Sequence, residues 1–302
     1  MARKKKSPFA TAHYKKEVLS KKTAKDIKKL YADAAKDIRK ELRALKMVNP
    51  SDSLKKVYLE NILRRIEKSS VALDRALEAK IITASESSGK LAIEAGNNLM
   101  KSVGLDIKGA YSYVPRREVQ NIVSGRLYGK NWSLSKSIWG ASSKRQADVQ
   151  KIVAKGLTEN KPIKKIADDL EKYVSPSAKK PWDWSKVYPG TSAKVDYNAQ
   201  RLARTMIQHS FQQSMTQQQI HNPFCNGIMW HSEMIEGRTC ELCADRDGQV
   251  FPANDLPLDH PNGLCYFEPV LDDMDAIADR LADWVNGESD EGIEDYIENA
   301  FE

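Results

Sequence analysis

No apolar run in this chain of 302 residues comes near the roughly 20 that a membrane helix needs, so no membrane partner is expected. Cysteine is scarce. There are four in all, and three fall between residues 240 and 265, a distribution that argues against a disulfide scaffold and for metal in a reducing compartment. Behind the basic opening Met1-Ala-Arg-Lys-Lys-Lys there is no apolar segment, so a secretory signal is not expected and synthesis inside the cell follows. Walker A, G-x-S-x-G and G-x-G-x-x-G motifs are all missing, which removes the support for several common enzyme classes. No internal repeat stands out.

Hydrophobic residues make up 41% of the chain and charged ones 29%, the balance of a soluble folded protein of roughly two domains. The net charge of +7 hides an asymmetry. Residues 1–50 hold 16 Lys/Arg against 5 Asp/Glu, a net of +11, whereas residues 269–302 hold 12 Asp/Glu against Arg280 alone, a net of −11. A basic head suits nucleic acid or an acidic protein surface, and an acidic tail suits a basic partner or the head itself; two solvated helix faces would look the same.

Apolar periodicity predicts helices over most of the chain. Ile27, Leu30, Tyr31, Ala34, Ile38, Leu42 and Leu45 form one stripe, which Asn49-Pro50 ends. Ser51 or Asp52 can cap a second helix striped by Leu54, Val57, Tyr58, Ile62, Ile66, Leu73 and Leu77, and the pair reads as an antiparallel hairpin. A third helix is expected around 86–102, stopping at Gly104. The stretch 114–174 is helical again; its join at Gly156 to Pro162 looks superficially like a DNA-reading helix-turn-helix, but no array of base-reading side chains follows, so a plain helical hairpin is expected. Residues 174–196, rich in Pro and Trp, read as a connection, and 197–219 as a helix fading into a Gln-rich end. Short strands are expected at 228–230, 249–251 and 265–270, with Cys225 in a loop before them. Two acidic helices follow, turning Ile277, Leu281, Trp284, Val285, Ile293, Tyr296 and Ile297 inward.

The expected fold is therefore mainly α, with a small α+β zinc-knuckle module. Its parts are a basic helical region over 1–112 with a long hairpin, a helical middle with its connection over 113–196, a core helix and knuckle over 197–270, and acidic helices over 271–302.

The knuckle rests on spacing. Cys240-Glu-Leu-Cys243 is followed by sixteen residues, His260, four more, and Cys265. A C-x-x-C turn places two thiolates on one edge of a tetrahedron, and a turn at Asp247-Gly248 can fold the second pair over. Four protein ligands leave no open position, so the zinc is structural. A redox C-x-x-C would need a strand–helix context that is missing, and chance does not account for the His and third Cys. A catalytic alternative exists. His231-Ser-Glu233 ahead of the cysteines imitates a nucleobase deaminase signature, and a zinc-dependent nuclease is a second possibility; in both the protein would be an enzyme acting on nucleic acid. Thr239 stands where a deaminase has proline, and the spacing from Glu233 to Cys240 is too short for that fold.

The stretch Asn198 to Val270 resembles the phage head morphogenesis proteins, the Mu F-like minor head family. Ala199-Gln-Arg-Leu-Ala-Arg204-Thr205 is similar to the family's A-x-x-L-A-R-T-E helix, and Trp230 to the tryptophan before its knuckle. Arg238-Thr-Cys240-Glu-Leu-Cys243, Asp247-Gly248-Gln-Val-Phe251 and His260-Pro-Asn match its R-T-C-x-x-C, D-G-x-x-F and H-P-N elements. Gly263 stands where the family often has the first of two closing cysteines, leaving Cys265 as fourth ligand; Met206 and Glu236 replace an acidic residue and an aspartate. The resemblance implies a non-enzymatic minor component of a phage procapsid and virion head, made in the host bacterial cytoplasm and associated with the portal protein. Scaffold, major capsid protein and DNA are further partners it suggests. Basic residues for phosphate would be Lys25, Lys28, Lys29, Lys36, Arg39, Lys40 and Arg43, which the apolar stripe leaves facing solvent or a partner without sequence preference.

Overall fold

A computed structural model describes residues 7–43, 52–128, 133–159, 161, 163–174, 197–234, 239–261 and 263–301. Among these, helices dominate and one small antiparallel sheet is present. The helices are α1 (Pro8–Arg43), α2 (Asp52–Ser102), α3 (Val114–Ser124), α4 (Leu134–Thr158), α5 (Ile163–Val174), α6 (Tyr197–Ile220), α7 (Glu241–Arg246), α8 (Met274–Val285) and α9 (Glu291–Glu298); the strands are β1 (Cys225–His231), β2 (Val250–Phe251) and β3 (Tyr266–Leu271). The fold is thus mainly α with a small strand module. The Pro/Trp-rich connection lies outside the described residues.

The separate third helix is corrected. Residues 86–102 continue α2 without interruption from Asp52, because no proline intervenes and Gly89 and Gly96 are tolerated inside a long helix. The helix does end just before Gly104, whose φ of 101° lies in the left-handed region.

Two compact units emerge: Met1–Lys21, Ile82–Gly129 and Ala203–Glu302 form the first, Lys22–Ile81 and Lys130–Leu202 the second. In the second unit the expected stripe of α1 is buried at Ile27, Tyr31 and Ile38, as are Leu73 and Leu77 of α2, and Ile38 and Leu73 line one small cavity. Lys80 reaches Asp26 at 3.0 Å, consistent with an antiparallel pairing. Val57, assigned to the apolar stripe by periodicity, is exposed. Arg145 of α4, almost fully buried, pairs with Asp74 at 2.9 Å, and the Tyr173 hydroxyl of α5 donates to Asp148 at 2.6 Å. On the two sides of the 156–162 join α4 and α5 pack together: Gly156 lets Ile166 of α5 approach so closely that a Cβ there would sit 2.6 Å from its side chain.

In the first unit α6 is the central element. Its Gln-rich end does not fade: Gln208, Gln212, Gln218 and Gln219 are all buried. Several polar residues of this region have partners, while Gln218 Oε1 and Gln219 Nε2 have none among the described residues. Ser88 of α2 donates to the Ile207 carbonyl at 2.8 Å, Ser210 donates to the Ser85 carbonyl at 2.7 Å, and Gln218 donates to Asn97 at 2.6 Å. The sheet runs β2–β1–β3, with Trp230 opposite Phe267 and Ile228 opposite Phe251. Trp230, fully buried, shares one apolar cluster with Phe9 and Ala12 of α1, Phe211 and Met215 of α6, Cys243, Cys265 and Phe267. A second cluster joins Tyr111 and Phe224 to Ile277 of α8 and Ile293 and Tyr296 of α9. The acidic helices are therefore core elements, although Val285, expected inward, is exposed. Cys225 begins β1, half-buried, rather than lying in a loop.

Candidate metal centre

The site is assembled by α7, the turn after it and the segment entering β3. Cys240 precedes α7 and Cys243 lies in its first turn, so the C-x-x-C spacing brings both thiols to one side of a short helix. Asp247 and Gly248 then reverse the chain: Gly248 has a φ of 76°, and its N–H donates to the Trp230 carbonyl at 2.8 Å. Ser232 N–H donates to the Asp247 carboxylate at 2.7 Å, and the Arg246 guanidinium lies 4.9 Å from the Trp230 ring centre. The tryptophan and the Asp-Gly turn thus set the position of the cysteine pair relative to the sheet.

Two overlapping donor groups result. Cys240, Cys243 and His260 have their ligand atoms within 4.8 Å of one another, and so do Cys243, Asp259 and Cys265. Cys243 belongs to both. Cys240 is exposed, His260 half-buried, and Cys243, Cys265 and Asp259 are buried. The His260 Nδ1 shares a hydrogen bond with the Pro261 carbonyl at 3.1 Å, which leaves Nε2 as the nitrogen free for a metal. The chemistry of the set fits a soft or borderline divalent ion: three thiols and an imidazole lie in two groups that meet at Cys243.

Electrostatics divide the thiols. The Cys243 backbone N–H, helped by the Cys243 thiol and by His260, holds Cys240 below the ordinary thiol range. Burial pushes Cys243 and Cys265 up, and burial also raises Asp259. Buried thiols unwilling to ionise alone are suited to a cation that stabilises the thiolate.

Asp259 was not singled out by the sequence, although it stands directly before His260. Its Oδ2 accepts from Gln208 Nε2 at 2.8 Å, its Oδ1 accepts from the His260 N–H at 2.8 Å, and its carbonyl is bonded to His209 Nε2 at 2.8 Å. Gly263 is required beside it, because a Cβ at that position would overlap the Asp259 carboxylate. Gln208, His209 and Gln212 all come from α6, some fifty residues away, and no local pattern announces them.

His231 lies 3.2 Å from Glu268 and stacks on Tyr266 with ring centres 4.5 Å apart. Glu233 pairs with His13 of α1 at 3.1 Å. Among the described residues neither joins a donor group with the cysteines. Thr205 is buried and Arg204 half-buried on α6, and Met206, where the family has an acidic residue, is fully buried. Arg238 and the side chain of Arg43 lie outside the described residues. Lys25, Lys28, Lys29, Lys36 and Lys40 are exposed on α1, whereas Arg39 is paired with Asp168 at 3.1 Å and with Glu171.

Among the described residues no helix is long and apolar enough to cross a membrane. Comparison with curated proteins and with solved structures found no match. Residues 146–266, less than half of the chain, match the family model of the phage Mu protein F like proteins. That segment holds α6, Trp230, the C-x-x-C pair, Asp259, His260 and Cys265, and it is this part of the chain that is similar to the phage Mu protein F like family.

Proposed function

We propose that this protein is a non-enzymatic minor head component of a bacteriophage or prophage. It binds at the portal vertex, assists procapsid assembly and DNA packaging or ejection, and carries one structural zinc on Cys240, Cys243, His260 and Cys265. The observation that carries this reading is the coincidence of the family segment with three thiols and an imidazole clustered around Cys243. Four protein ligands fill a tetrahedron, leaving no position from which zinc could activate water. A zinc-dependent nuclease or deaminase would need His231 and Glu233 near the metal, and both are engaged with other partners.

Zinc in this position would tie α7 to the entry of β3, fastening the end of a three-stranded sheet whose edge strand is only two residues long. The exposed lysines of α1 suit a polyanion, packaged DNA above all, by phosphate contact without base reading.

The test is association with the portal protein encoded in the same genome. Co-expressed with it, the chain should co-purify through size exclusion; a chain that elutes apart from assembled portal at all salt concentrations would remove the portal reading. DNA retention should fall steeply with salt. Replacing Lys25, Lys28, Lys29, Lys36 and Lys40 with glutamine should lower the log–log slope by about 0.9 for each lysine that touches a duplex phosphate.

A further inference from the structure

Lys16 is the most deeply buried cation among the described residues, with 1% of its surface exposed. It lies two turns into α1, next to Lys15, which is exposed. Its ammonium donates to Gln208 Oε1, Glu17 lies 3.5 Å away, and Asp259 is near enough to favour the charged form. An ammonium has no acceptor, so the Gln208 carbonyl must face it and the amide nitrogen must face away. That nitrogen donates to the Cys265 carbonyl at 2.6 Å and to Asp259 Oδ2 at 2.8 Å. Lys16 is therefore one amide group away from two of the residues gathered around the metal position.

Burying an ammonium is costly unless charge of opposite sign lies close by. A divalent ion holding three thiolates and a neutral imidazole carries a net charge of about −1, and the Asp259 carboxylate beside it adds to the negative field. The first turns of α1 are seated against the same region: Phe9 and Ala12 share the apolar cluster of Cys243 and Cys265, and His13 pairs with Glu233. We propose that Lys16, acting through Gln208, is the counter-cation of the metal–thiolate centre, so that metal binding and the docking of the first turns of α1 strengthen one another. The inference rests on the metal reading above. Because coupling between two binding events is reciprocal, each must strengthen the other by the same factor. Lys16 is a positioning residue in this scheme and does not touch the ion.

Cobalt(II) on the full-length chain tests it, since thiolate-to-cobalt absorption reports ligation directly. Lys16→Met should weaken cobalt binding by ~10–100-fold in chelator competition, the usual range for groups that support metal ligands, while Lys15→Met leaves it within about two-fold. Hydrogen exchange on the wild-type chain supplies an arm that does not depend on the variant folding. Removing the metal should raise exchange over residues 8–21 together with 240–265. Equal cobalt affinity in the Lys16→Met and Lys15→Met chains would overturn the proposal. So would exchange over 8–21 that ignores the metal while 240–265 loosens. A wild-type chain without thiolate–cobalt bands would instead remove the metal reading, and the role of Lys16 with it.

Discussion

Cys243 stands in both donor groups, whereas Asp259 joins only one and is already satisfied by Gln208 and the His260 N–H. Cys243→Ser should therefore abolish zinc, and Asp259→Asn should keep close to one equivalent per chain; elemental analysis of the purified variants checks both. A pH effect belongs to His13. Burial, assisted by the Lys16 charge, holds its imidazole down to about 3. Its Nε2 faces Glu233 and its Nδ1 is buried without a partner among the described residues. Unfolded, the ring takes a proton near pH 6.5, so its contribution to folding is intact above that pH and is lost as pH falls toward 3. The loss approaches about 1.4 kcal/mol per pH unit within that window. Denaturant midpoints between pH 7 and pH 5 should fall more steeply for wild type than for His13→Gln, and parallel curves would mean that His13 is charged in the folded protein.

Between elements, the contact of α2 with α6 depends on small residues. A Cβ on Gly89 would lie 2.6 Å from Ser214 Oγ and 2.9 Å from Pro115 Cβ. Gly89→Ala gains about 1 kcal/mol of helix propensity, but overpacking typically costs about 1–3 kcal/mol. Ser214 Oγ can rotate aside, while the Pro115 ring and the backbone that carries it cannot, so the expected net is a loss of roughly 1–2 kcal/mol, read as a lower thermal midpoint. Three hydrogen bonds across that contact, Ser88 to the Ile207 carbonyl, Ser210 to the Ser85 carbonyl and Gln218 to Asn97, make it specific as well as close. Each needs its partner at a set distance, and sliding the helices by one turn would leave several polar groups buried and unpaired.

For the molecule as a whole, the acidic segment 271–302 is structural as well as charged. Asp273 and Asp290 cap α8 and α9, and Arg280 holds Asp290 with two bonds of 3.0 Å while lying over Phe224. The C-terminal turn also holds Tyr111, a non-glycine residue at φ 59°, whose N–H donates to the Ala300 carbonyl and whose hydroxyl donates to the Tyr296 carbonyl. Deleting 271–302 would remove Ile277, Ile293 and Tyr296 from a core. At roughly 1.5–3 kcal/mol for each large side chain, the loss approaches the entire stability of an ordinary domain. The truncated chain should be unfolded in its first unit by circular dichroism and hydrogen exchange. Probing the tail as a competitor for the basic head therefore requires neutralising exposed acids such as Asp275, Asp279, Asp283 and Glu294, which leaves the core in place.

Much of this was legible in residue order, because the signals are local. Apolar spacing marked the stripe of α1 and the inward face of α9, proline and the Asp-Gly pair marked breaks and turns, and the C-x-x-C…H…C spacing marked four donors that the fold brings together. Periodicity misled where burial is decided by distant chain. It placed Val57 and Val285 inward and both are exposed, and it read the end of α6 as fading where the helix is most deeply buried. A run of glutamine looks solvent-facing until Asn97, Pro257 and Asp259 arrive to pair with it. For the same reason no pattern near residue 16 could reveal a buried lysine, nor any near residue 259 a carboxylate set beside thiols. Helix period, turn chemistry and ligand spacing are properties of neighbours along the chain and are written in it directly. Which polar groups go inside depends on partners separated by some fifty to two hundred residues, and only the tertiary structure brings those together.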